Sequence, residues 1–110
     1  MPEVMDPVQR TTEDVKPRRP RLFRVLIHND NYSPAEIVVD ILAKVFHLSY
    51  EKSVTLMIHT HRTGVGVCGV YTHEVAECKL EKAQALATEA EAPLQFSIEP
   101  EEDENENENQ

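Results

Sequence analysis

The chain has 110 residues, 40% hydrophobic and 28% charged, with a formal net charge of −9. Seven acids and no base fall in residues 99–110, EPEEDENENENQ, whereas residues 21–98 hold 9 acids and 7 bases. This length and balance fit one small domain with an acidic end. They exclude a duplex nucleic-acid binder, which needs clustered Lys and Arg, and a membrane span, which needs roughly 18–20 apolar residues.

Residues 1–20 carry four acids, four bases and four of the seven prolines, with no apolar periodicity. They are expected to form a flexible N-terminal arm, since nothing there offsets the entropy of ordering. The arm also lacks the apolar stretch of a signal peptide, so a cytoplasmic location is expected. Residues 21–99 form the core domain. Residues 100–110 are expected to be a disordered, self-repelling acidic tail.

RLFRVLIH (21–28) reads as a strand. NDNYSP follows as a turn cluster. Ser33-Pro34-Ala35-Glu36 then predicts a helix start, with Ser33 as cap, Pro34 in the first turn and Glu36 closing a capping box. Ile37, Val38, Ile41, Leu42, Val45 and Phe46 supply its apolar face. A second helix should follow Ser49 and run through YEKSVTLMIHTHR, with Val54, Met57, Ile58 and His61 on the core side, and stop at Thr63-Gly64. VGVCGVY (65–71) reads as a strand loosened by Gly66 and Gly69. Thr72 caps a third helix over about 73–90. Val75, Ala76, Leu80, Ala83, Leu86, Ala87 and Ala90 lie near one face of it, and Glu74 lies in its first turn. LQFSIE (94–99) is the last strand. The order β-α-α-β-α-β predicts an α+β two-layer sandwich, a three-stranded antiparallel sheet with three helices on one face.

His28-Asn29-Asp30-Asn31, between an apolar strand and an apolar helix, is the most informative stretch. Turn chemistry explains it; so does a cluster of oxygen acceptors for a cation or hydrogen-bond donor. His59 and His61 point about 200° apart on a regular helix and cannot chelate one metal. With Cys68, His73 and Cys78 they make no recognised zinc spacing. No metal and no cofactor are expected. Cys68 reads as a packed small hydrophobe and Cys78 as a helix-surface residue. No nucleophile elbow, paired catalytic acids or Gly-rich phosphate loop occurs, so the chain is not expected to be an enzyme. Glu74-Val75-Ala76-Glu77-Cys78-Lys79 reads either as a solvated helix face or as a docking patch.

VLIHNDNYSPAEIVVDIL and LMIHTHRTGVGVCGVYTHEVAECK together resemble the bacterial ClpS adaptor family. The resemblance runs from about Arg21 to Lys79, and more loosely to Ile98. It is carried by Asn-Asp-x-Tyr-Ser/Thr-Pro at Asn29–Pro34, the helix-borne His61, and C-G-V-Y/F-T-x-E-V-A-E-x-K at Cys68–Lys79. It implies an adaptor that binds proteins beginning with Leu, Phe, Tyr or Trp and delivers them to a Clp AAA+ unfoldase, ClpA or ClpC, coupled to ClpP. By position, Asn29, Asp30, Asn31 and His61 would serve the substrate α-amino group. Ser33, Ala35, Val38, Met57, Thr60 and Leu94 would line the side-chain pocket. Glu74 and Lys79 would face the unfoldase's N-terminal domain, and a monomer is expected. A small α+β docking module for an AAA+ or ribosomal partner, without an N-terminal-residue pocket, is the alternative. Asn31, Ala35 and Thr60 stand where the family more often has Asp, a larger Met or Leu, and Val. They predict a weaker or broader specificity.

Overall fold

β1, Leu22–His28, is the spine of the sheet. The structure, a computed structural model, describes residues 19–102. Most of the predicted arm, residues 1–18, and of the predicted tail, residues 103–110, lies outside the described residues. After β1 come α1 (Ala35–Phe46), α2 (Tyr50–Thr63), β2 (Val65–Thr72), α3 (His73–Glu89) and β3 (Gln95–Pro100), the expected order. The sheet order is β2-β1-β3, with both pairs antiparallel. β1 therefore has both edges satisfied, as a central strand built of β-branched and aromatic residues should.

Alternation along β1 sorts the two faces. Val25 and Ile27 are buried beneath the helices with Phe23 packed beside them, while Arg24 reaches Glu99 at 2.7 Å across the β1–β3 ladder. The covered face meets Val38, Ile41, Leu42, Val45 and Phe46 of α1 and Ala76, Ala83 and Ala87 of α3. Each fully buried side chain such as Leu42 contributes about 1.5–3 kcal/mol. The alanines let α3 approach closely.

The two glycines of β2 fit the packing rather than loosening it. Gly66 pairs with Ile27 and Gly69 with Val25, and the register shifts between Val25 and Leu26, where Cys68 is the extra residue. A Cβ on Gly66 would collide with Thr60 Oγ1 and Leu56 Cδ1 of α2. Gly66 is thus what allows α2 to lie against β2.

Four expectations need correction. Ser33 does not cap α1: its backbone N–H and hydroxyl are both taken by Asp30, and the cap position falls on Pro34. The Pro34 carbonyl accepts from Ile37 and Val38 at 3.0 and 3.2 Å. The core side of α2 runs through Ser53, Leu56, Met57 and Thr60, leaving Ile58 and His61 exposed. On α3, Val75 is 43% exposed, and Ala90 is exposed beyond the helix end. Finally, Pro100 still pairs with Phe23, and Glu101 N–H donates to the Leu22 carbonyl at 2.8 Å, so the predicted tail begins inside the ladder. Ser49 caps α2 by accepting from Lys52 N–H, as expected.

Candidate functional site

The β1–α1 loop is shaped by one carboxylate. Asp30 Oδ1 accepts from the backbone N–H groups of Tyr32 and Ser33, both at 2.7 Å, and Oδ2 accepts from the Ser33 hydroxyl at 2.8 Å. Burial raises the Asp30 pKa, but the hydrogen bonds from Ser33 and Tyr32 outweigh it and hold the carboxyl below its ordinary value. Asp30 is therefore an anion that stabilises its own turn. Asn29 N–H donates to the Gly64 carbonyl at 3.0 Å, tying this loop to the end of α2. Gly64 occupies the left-handed region at φ 97°, which glycine adopts at no steric cost. That turn brings the last helical turn of α2, with His61, against the loop.

Between them lies a cavity of about 250 Å³. Leu94, Val38, Ala35, Met57, Thr60 and Ser33 line it, the whole set expected for a side-chain pocket. Asn29, Asp30 and His61 line it as well. Asn31 does not line it and stands exposed on the same loop. Sequence reasoning missed Ile27, His28 and Ile58 as lining residues. Ile27 is the last inward position of β1 and sits under the cavity; β-strand alternation carried that signal. Ile58 gave no signal, because its helical position reads as core.

Thr60 is 4% exposed, and its Oγ1 is buried without a hydrogen-bond partner. That oxygen lies on the side of Gly66, so a ligand in the cavity cannot reach it. Ser53, also on the core side of α2, has a second buried hydroxyl without a partner.

The other expected patch lies away from this cavity. Glu74 is exposed in the first turn of α3. Lys79 is half-buried, donates from Nζ to the Val45 carbonyl at 2.7 Å and lies 5.8 Å from the Tyr71 ring centroid. Lys79 thus satisfies a carbonyl at the end of α1 as well as presenting charge. Cys68 is buried and Cys78 exposed, both as free thiols. Among the described residues no group of three or more His, Cys, Asp or Glu is placed to hold a metal. No described helix is long and apolar enough to cross a membrane.

The family model "ATP-dependent Clp protease adaptor protein ClpS" matches residues 18–97. The ATP-dependent Clp protease adapter protein ClpS of Lawsonia intracellularis is 49% identical over 75 residues, 68% of this chain and 69% of that one. Its namesake in Myxococcus xanthus is 51% identical over 74 residues, 67% and 69% of the two chains. The solved structure of Agrobacterium tumefaciens ClpS2 bound to L-phenylalaninamide aligns with a TM-score of 0.73 and 40% identity, over 76% of this chain and all of that one. A fold shared at this level and a sequence matched over residues 18–97 have one explanation: the chain belongs to the ClpS family.

Proposed function

We propose that this chain is a cytoplasmic adaptor that binds proteins beginning with a large apolar residue, Leu, Phe, Tyr or Trp, and delivers them to a Clp AAA+ unfoldase and its peptidase. The observation that carries this reading is the apolar cavity whose rim holds Asn29, Asp30 and His61. L-phenylalaninamide, the ligand of the related ClpS2, has a free amino group, a benzyl side chain and a carboxamide. It mimics a chain that begins with Phe.

The chemistry distinguishes a chain's beginning from its middle. A free α-amino group has a pKa near 7.7–8.0 and is mostly an ammonium at neutral pH. An internal residue offers one amide donor and no charge there. Asn29 and His61 contact the ammonium from the cavity wall. Asn31 approaches from the exposed rim. Asp30 holds the turn and supplies its negative potential. An amide entering this site leaves acceptors unpaired, while the cavity takes the first side chain for about 1.5–3 kcal/mol. Glu74 and Lys79 face the N-terminal domain of the unfoldase, and the adaptor acts without catalysis.

A fluorescent peptide beginning with Phe should bind, and its N-acetylated form should bind about tenfold to a hundredfold more weakly, the loss of charge-assisted hydrogen bonds. Equal affinities would overturn the reading.

A further inference from the structure

A second concavity lies at the other end of α1. The last turn of α1 and the outer side of α3 form a groove of about 400 Å³, lined by Lys44, Val45, His47, Lys79, Lys82 and Leu86. Three of the seven bases of residues 21–98 line it, and no acid does. Lys44 touches Asp40 at 3.2 Å, and Lys79 spends one donor on the Val45 carbonyl. Each ammonium has three donors, so both retain some. Lys82 has no ion pair among the described residues. In a chain of net charge −9 this is a concentrated positive surface.

We propose that this groove is the seat of the chain's own acidic end, residues 103–110. Charge is the first argument: Asp103, Glu104, Glu106 and Glu108 are accompanied by no base. Position is the second. Glu101 N–H bonds the Leu22 carbonyl, and Leu22 pairs with Thr72, the residue that precedes α3. The described chain therefore ends beyond β3 at the same end of the sheet as the first turn of α3, two strand spacings or about 10 Å from Thr72. Lys79 and Lys82 stand six and nine residues beyond His73, about 9 and 14 Å along the helix axis. Eight extended residues reach up to about 26–29 Å, enough to span that distance. Spacing is the third. In an extended chain side chains alternate, so Glu104, Glu106 and Glu108 would face one way, toward the lysines, with the asparagines turned outward. A seated tail covers Lys79. Where Lys79 serves the unfoldase, a consequence that rests on the function proposed above, the tail competes with that partner, and salt or neutralised acids release it.

The test uses the full chain with a nitroxide spin label on Asn109→Cys, in a Cys78→Ser background, and reads amide line broadening by NMR. At about 20 mM salt, His47 and residues 82–86 should lose more than half of their intensity. They should regain it at about 0.5 M salt, where screening reaches only a few ångströms. They should regain it equally in Lys44→Gln/Lys82→Gln, and when Asp103, Glu104, Glu106 and Glu108 are replaced by Asn or Gln. Broadening that is absent, that centres on Arg21–Phe23 beside the basic residues of the N-terminal segment, or that ignores salt and both charge changes would overturn the proposal. Neither peptide nor unfoldase enters the measurement, so its failure would leave the proposed function untouched.

Discussion

Thr60 illustrates how a substitution at one position is read through its neighbours. A hydroxyl in place of an apolar side chain at a pocket wall suggests altered specificity. In the fold, the hydroxyl lies toward Gly66 and its oxygen is inaccessible from the cavity. Thr60→Val should keep the cavity's shape and leave the affinity for a Phe-beginning peptide unchanged within about twofold. It should also stabilise the protein by about 1 kcal/mol, because a buried group without a partner disappears; urea denaturation measures this. Ala35 and Asn31 act differently. Ala35 lines the cavity and also the groove between α1 and α2, which shares Met57 with it. A larger residue there narrows the mouth, so Ala35→Met should sharpen the ranking of peptides beginning Leu, Phe, Trp, Tyr, Ile and Val. Asn31 is exposed and off the cavity lining, so Asn31→Asp adds a screened charge worth about twofold to fivefold in affinity. Peptide titrations of the two variants check both, and an unchanged ranking together with unchanged affinity would count against a broadened specificity.

The elements are held by close approach as much as by apolar area. α2 rests on β2 at Gly66, and the residues on its core side include Ser53 and Thr60, both nearly inaccessible. Gly66→Ala places a methyl where Thr60 and Leu56 already stand. Overpacking of this kind costs about 1–3 kcal/mol. The thermal midpoint should fall by several degrees, roughly 4–8 °C per kcal/mol for a domain of this size. Peptide affinity should fall too, because α2 carries Met57, Thr60 and His61 into the site. A variant with the thermal midpoint of the parent would show that α2 can shift away freely. The β1–α1 loop is a second case. Its helix starts without a side-chain cap, and Asp30 organises the chain before it.

At the scale of the whole molecule, pH reports on burial. Burial in the sheet pushes the Cys68 thiol up to about 12. Burial also raises Tyr71, and a Cys68 thiolate beside it would raise it further. Both groups are neutral when protonated, so the folded state binds their protons more tightly than the unfolded state does. Their contribution is complete below the unfolded values, near 8.5 for Cys and 10 for Tyr, and fades as pH rises toward 12. Unfolding free energy should therefore fall between about pH 9 and 12, and the slope should lessen in Cys68→Ala after its own neutral-pH loss is subtracted. Denaturation at a series of pH values measures it. Asp30 behaves oppositely. Its folded pKa is depressed, so its support is present above the ordinary carboxylate value and is lost as pH falls through the folded one. Sequence periodicity by itself determined the element order, the α+β class and the apolar face of α1, because large β-branched and aromatic side chains advertise strands and helical stripes. The family resemblance named six positions for a side-chain pocket, and one cavity is lined by all six. Tertiary structure alone decided which side of α2 is inside, since hydrophobicity cannot show that Gly66 of β2 receives Thr60 and Leu56 at close range while Ile58 stays exposed. Where turn chemistry and an acceptor cluster were both open for Asp30, tertiary structure showed it accepting from the Tyr32 and Ser33 backbone N–H groups and the Ser33 hydroxyl, bonds set by the path of the loop. And it alone placed Lys44, Lys79 and Lys82, up to 38 residues apart in the chain, around one groove, because only packing of α1 on α3 brings separated charges together.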